Sequence, residues 1–456
     1  MSAAALAELI GAALREAGEP EAEIHARDVR RGYARFAVGE LCQHMQLVEP
    51  ACTVRVARGK RVGEASTTAL DPVGLRAAIE EATRVAERVP EEPAFPGFAP
   101  PPSAEPTLPR RYAESTARAT AEERVARLEP VLRAIRDAGL VASGALETRV
   151  EHEAVVATTG LRRHHSGTVA AFRVWALERA GGPGAAGHGN ATSIDVDALG
   201  LAAETERAIR DARAGRDPGG IEAGEHDVVL APDAVAELIE WLAMIAFGAR
   251  EIAQGTSALA GRLGEAISGE RLDVRDEPLG ALSLAGPFDR EGTTRAAVTL
   301  LERGVARGAL TDRLWGSRVG SPSTGSAHPP SAFEPGGIGP TALVVAGGEA
   351  ESEAELIRQA GHGLYVRRLH YVNGMLEPRR AVMTGLVRDG AFRIEGGALG
   401  RPVRSPRFTD SVLEAFARCE GATRARTLIP NWWSAAGSVA APAVLLRRLR
   451  FSAGSR

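Results

Sequence analysis

Apolar and polar positions alternate with period two along much of this chain, and fewer stretches carry the spacing of a helix. The alternation is most regular between Gly361 and Phe416. There Leu364-Tyr365-Val366 and Leu369-His370-Tyr371-Val372 break at Asn373-Gly374, a pair suited to the positive φ angles of a tight hairpin turn. Ala381 to Val387 and Ala391 to Ile394 flank a second such pair, Asp389-Gly390, and Gly396-Gly397 introduces a third. After the basic run Arg401 to Arg407, Thr409 or Asp410 is placed to cap a helix with Val412, Leu413 and Phe416 on one face. The stretch predicts an antiparallel meander that ends in a short helix.

Earlier segments mix both periods. Leu6, Leu9, Ile10 and Leu14 share a helix face that stops at Gly18 and Pro20. Strand alternation from Glu23 to Phe36 turns at Gly39-Glu40, and Thr53 to Ala57 and Arg61 to Thr67 join around Gly59-Lys60. Asp71-Pro72 is a helix start, with Leu75, Ile79, Ala82, Val85 and Val89 behind it. Pro90 to Pro109 holds eight prolines in twenty residues and reads as an exposed, irregular connector. Thr120 and Glu123 form a capping box for a helix from Ala121 to Ala138, which Pro130 should kink or split. Strands fill Leu140 to Leu177. A glycine-rich segment, Gly181 to Gly189, and a helix capped by Asp195 or Asp197 follow. Asp217-Pro218-Gly219-Gly220 marks a boundary between domains 1–220 and 221–456. Val228 to Leu230 is then a strand, Pro232-Asp233 opens an unusually apolar helix to about Phe247, and Gly316 to Gly339 is a long loop.

A length of 456 residues favours two domains, and 44% hydrophobic with 25% charged residues is ordinary for a globular chain. The net charge of −3 supplies no global basic field for nucleic acid. Cys42, Cys52 and Cys419 offer neither a disulfide framework nor a CxxC zinc ribbon. No basic leader precedes the first helix, and no apolar run reaches the roughly 20 residues of a membrane span. The expectation is a soluble cytoplasmic protein.

Local catalytic motifs are scarce. His152-Glu153 lacks a second histidine one turn on, and its surroundings alternate like a strand. His164-His165 point to opposite faces of any strand, and His362 and His370 lie eight residues apart. Gly182-Pro183-Gly184-Ala185-Ala186-Gly187 matches GxGxxG, but no apolar helix follows to face a pyrophosphate. Ser326-Ala327-His328 lacks an orienting acid, and of Trp432-Trp433 one suits a core and the other a groove or subunit contact.

Several spaced segments resemble the TldD/PmbA family, the so-called modulators of gyrase. They are Gly255 to Arg262 (GTSALAGR), Leu301 to Gly308 with Thr311-Asp312-Arg313, and the Gly361 to Phe416 meander. The strands around Arg55 to Ser66, the Asp71-Pro72 helix and Glu147-Thr148-Arg149 extend the resemblance over nearly the whole chain. It implies an α+β protein: an N-terminal α/β domain with a mixed or antiparallel sheet and flanking helices, then a β-rich barrel- or sandwich-like domain. The family is associated with peptide cleavage, and in its two-subunit systems one subunit carries zinc through HExxxH and a late cysteine. Here the motif positions hold Glu240, Trp241 and Ile245, and Thr427 to Val444 contains no cysteine. The chain thus resembles the metal-free PmbA or TldE-like branch. That implies no cofactor of its own, a zinc-bearing paralogue or a second copy as partner, and a peptide substrate held along strand edges. Arg367, Arg368, His370 and Tyr371 are the expected groove contacts. A stand-alone hydrolase and a pure peptide-binding scaffold remain rival classes.

Overall fold

A computed structural model describes residues 1–179, 185–330, 336–430 and 438–452. The first half contains α1 (Ala3–Ala17), β1 (Ala22–Ala37), β2 (Glu40–Arg58), β3 (Arg61–Thr67), α2 (Pro72–Ala86), α3 (Glu114–Ala117) and α4 (Ala121–Asp137). It continues with β4 (Val141–Ala157), β5 (Arg162–Leu177), β6 (Ala186–Ser193) and α5 (Leu201–Ala214). Its six strands form one sheet in the order β3-β2-β1-β4-β5-β6, antiparallel throughout. Helices cover one face. Leu6, Ile10 and Leu14 of α1 and Leu75 and Ile79 of α2 pack on Ile24, Val54 and Val56; Leu128 and Ile135 of α4 pack on Phe36 and Phe172. Each such buried side chain contributes about 1.5–3 kcal/mol.

The second half opens with β7 (Gly224–Leu230), α6 (Pro232–Ala246) and α7 (Ala249–Ala253). It proceeds through β8 (Val274–Asp276), β9 (Val298–Glu302), β10 (Val305–Ala306), α8 (Arg313–Val319), β11 (Ala327–His328), β12 (Gly337–Ile338), β13 (Ala342–Val345) and α9 (Glu353–Ala360). Then come β14 (Gly363–Glu377), β15 (Val382–Glu395), β16 (Ala398–Pro402), β17 (Arg407–Ser411) and α10 (Val412–Ala417). The described chain ends with β18 (Cys419–Ala422), β19 (Thr427–Pro430), β20 (Ser438–Ala441) and β21 (Val444–Ser452). A second six-stranded sheet runs β10-β9-β8-β13-β20-β19. The path β14-β7-β21-β17-β15 closes on itself through β14–β15, giving a barrel in which only β7 and β14 are parallel. Strand exceeds helix, 41% to 26%, and the two are largely segregated, so the class is α+β.

Helix α6 lies in the largest core, with side chains of both the second sheet (Val274, Leu301, Val439) and the barrel (Val366, Met383, Phe408). All of its residues except Glu237 and Met244 are buried.

Several expectations are corrected. Neither Asn373-Gly374 nor Asp389-Gly390 reverses the chain: β14 and β15 run through both, with bulges, and the reversal comes at Pro378–Arg380, where Ala381 has φ 51°. Gly396-Gly397 is a turn, as expected. Pro130 does not split α4, whose capping box has both bonds. Ser411, not Thr409 or Asp410, caps α10. Asp195 caps a single 3-10 turn, and α5 itself begins after Gly200. The proline-rich connector is irregular and mostly exposed, as expected, except that Phe95, Phe98 and Ala99 are buried beside Phe288. The start of the presumed Gly316–Gly339 loop is the end of α8, and β11 and β12 pair within it. Part of the GxGxxG string and Trp432-Trp433 fall outside the described residues.

Candidate functional site

The helix-free face of the first sheet carries an unusual sequence pattern: alternate residues in β1 and β4 are charged. Glu23, His25, Arg27 and Arg31 of β1 share this face with Glu147, Arg149, Glu151 and Glu153 of β4 through the antiparallel register. Charges crowded on a covered sheet are costly unless paired, and here they are paired. His25 Nε2 lies 2.8 Å from Glu153, Arg31 Nε lies 3.0 Å from Glu147, and Arg27 and Arg149 both bind Glu151. Burial pushes the Glu151 carboxyl up, but Arg149 and Arg27 outweigh it and hold the group well below the usual range. Arg27, Arg31, Glu147 and Glu151 nevertheless keep 21–28% of their side-chain surface, as the lining of a recess does. At one end Arg55 binds Glu23 at 2.6 Å and Glu291 of the second half at 2.9 Å. His328 approaches the same face. Burial and Arg295 bring its pKa down to about 4, with Arg27 adding to the effect.

At the other end the sheet meets α6 and the barrel. Trp175 Nε1 donates to Asp389 at 3.0 Å, Arg368 Nε reaches the same carboxylate at 3.3 Å, and the Arg368 guanidinium lies 5.6 Å from the Trp175 ring. His188 stacks at 4.7 Å on Trp175, and Asn190 donates to Asp233 near the start of α6. Burial, then Arg368, Arg367 and Arg173, keep His188 neutral. Arg367 donates to the Tyr365 hydroxyl at 3.2 Å and faces Glu353 at 3.7 Å and Asp211 at 3.9 Å. Arg173 joins the two ends, in the field of Glu147 and Tyr33 on the sheet and of Arg368 and Glu240 opposite. A continuous mixed-charge seam therefore runs between the two halves of the chain.

A family model, the PmbA/TldA metallopeptidase C-terminal domain, matches residues 223–453. The chain belongs to the PmbA/TldD metallopeptidase family. TldE from Thermococcus kodakarensis has the same fold, with a TM-score of 0.89, 20% identity, and coverage of 97% of this chain and 100% of that one. A metalloprotease of Methanothermobacter thermautotrophicus is 27% identical over 231 residues, 50% of this chain and 48% of the relative. An uncharacterised protein of Methanocaldococcus jannaschii is 36% identical over 104 residues, 22% of this chain and 24% of the relative. The matches thus span about half and about a quarter of these curated relatives.

Zinc in this PmbA/TldD family member is tested by the donor set on α6. Glu240, Trp241 and Ile245 are all buried, and only the first offers a ligand atom. The Trp241 indole lies against Gly374, where a β-carbon would come within 2.8 Å of Cε3. Cys419, the cysteine nearest the carboxyl end, bonds weakly to the Gly421 carbonyl, and burial pushes its thiol up to about 11. Among the described residues no group of three histidine, cysteine or acidic side chains could hold a metal ion. These residues do not fit zinc.

The expected groove quartet divides. Arg367 is buried and Arg368 nearly so, both within the seam; His370 is half-buried and stacks at 4.3 Å on Tyr371, which is 77% exposed. His152 bonds Ser166 at 2.8 Å on the helix-covered face, opposite Glu153. Ser326 pairs with Thr324 and His328 with the Gly339 carbonyl, so the two form no hydroxyl–imidazole couple. Sequence reasoning missed Trp175, His188, Asp233 and Asp389, whose meeting depends on long-range pairing. The alternating charges of β1 and β4 were a visible signal for the rest.

Proposed function

We propose that this chain is the silent subunit of a peptide-cleaving complex, paired in the cytoplasm with a zinc-bearing relative. The observation that carries this reading is the filling of α6, where Trp241 and Ile245 take positions that metal chemistry would need for ligating or acid–base side chains. Family membership supports peptide as the substrate class. Two features suit an extended peptide. The seam presents both signs of charge and selects no single sequence. From Glu40 to Ala51, β2 has β1 on one side and, among the described residues, no strand on the other, which leaves main-chain groups for strand addition.

Gentle affinity purification from the native cells, with metal analysis of the eluate, tests the reading. Recovery of an equimolar relative bearing HExxxH and zinc is expected. Recovery of this chain alone, cleaving peptides in a manner abolished by substituting one of its own histidines, overturns it.

A further inference from the structure

The helix-covered face of the first sheet holds a second charged feature, separate from the seam. Beside α3 and α4 the helices leave a cleft of about 270 Å³ over β1, β2 and β4. Arg124 of α4 lies at its floor, 2% exposed. Its guanidinium rests on Gly32 of β1, where any β-carbon would overlap it, so the strand is cut back to admit this group. The Nη1 atom donates to the Ala119 carbonyl at 2.8 Å and to Thr148 Oγ1 at 3.0 Å, and Nη2 lies 3.3 Å from His44 Nε2. Nε has no hydrogen-bond partner among the described residues.

Arg124 makes no direct ion pair among the described residues, although Glu122 and Glu123 lie near enough for their charges to favour its own. Of the five other buried arginines among the described residues, Arg149, Arg163 and Arg367 form ion pairs with carboxylates, whereas Arg111 and Arg295, like Arg124, are held by carbonyl or hydroxyl oxygens. No described carboxylate lies within ion-pair distance of Arg124, and the nearby Glu123 is engaged by the amide of Thr120. Burial accordingly lowers its pKa. The rest of the lining adds donors rather than acids: Arg30, Gln46, Tyr112 and His152. His152 uses Nδ1 on Ser166. Arg30, half exposed at the mouth, has only a 3.6 Å contact to Asp28, and Arg31 is committed to Glu147 and Glu49 on the opposite face.

A buried cation is retained when something neutralises it. We infer that this cleft binds the oxyanion group of a small acidic metabolite, with Arg124 and Arg30 as its two cationic contacts. A planar guanidinium matches either phosphate or carboxylate oxygens, and the volume leaves room for an organic body beyond the anion. The site lies on the face of the first sheet opposite the peptide seam.

Calorimetric titration of the full chain with inorganic phosphate and, separately, with succinate tests this at constant ionic strength set by chloride. Saturable binding of at least one is expected, and which one binds distinguishes phosphate from carboxylate recognition. Arg30→Gln should weaken that binding about tenfold while melting like the wild type without ligand. Arg124→Gln probes the floor, but Arg30→Gln is decisive because its side chain supports no core. Absence of a saturable signal with both anions, or equal affinity in Arg30→Gln, overturns the assignment.

Discussion

Gly374 illustrates how one residue type serves two purposes that a sequence does not separate. Following Asn373, it has the chemistry of a turn, yet in β14 its missing side chain makes room for Trp241. Gly374→Ala is therefore expected to lower unfolding free energy by about 1–3 kcal/mol in urea titrations. Adding Trp241→Phe should return part of the loss, and an additive double mutant would contradict the contact. The groove quartet separates in the same way. Arg367→Ala removes the cation between Tyr365, Glu353 and Asp211 and should destabilise by about 3 kcal/mol. Tyr371→Ala should change thermal stability by no more than about 0.5 kcal/mol, so any effect on peptide KM in the assembled complex would report a direct contact. Local chemistry was legible where a cap or turn acts within a few residues, as at Thr120 or Gly396. It was not legible at Asp389, whose partners Trp175 and Arg368 come from different halves of the chain.

Strands and helices were readable from period and punctuation: α1, α2, α4, β1 and β7 lie close to where pattern alone places them. Errors arose where a bulge lets a long strand absorb residues with turn chemistry, as in β14 and β15. One element carries a testable ionic cost. Asp276 of β8 accepts from the Thr341 and Ala342 amides at the start of β13, but burial dominates and raises its pKa from 3.8 to about 6. A raised acid favours folding while it is protonated. That contribution is complete below about pH 4 and is lost as pH rises through about 6. Asp276→Asn should thus gain stability relative to wild type between pH 4 and 7, by about 2 kcal/mol, in denaturant titrations at the two pH values. A difference that shrinks over this interval would refute the assignment.

The two halves are bound by more than a linker. Arg313 donates to the Gly97 and Phe98 carbonyls, Arg55 binds Glu291, and Phe95 and Phe98 are buried within the same small core as Phe288. Limited proteolysis under native conditions should consequently spare residues 93–99 despite their proline-rich composition, and early cleavage there would show that the connector opens. Which halves meet, and through which side chains, was beyond sequence pattern, since these contacts join residues about 200 positions apart. The barrel adds a constraint of a different kind. Its strand β7 pairs with β21, Leu230 opposite Val444, although the intervening chain exceeds 200 residues. A ribosome delivers the first sheet complete by Ser193, so that layer can form while synthesis continues. The apolar helix α6 emerges next and has no closed barrel beside it until β21 has left the exit tunnel. Throughout that interval the nascent polypeptide displays its stickiest segment, and a chaperone or the already folded sheet must shield it.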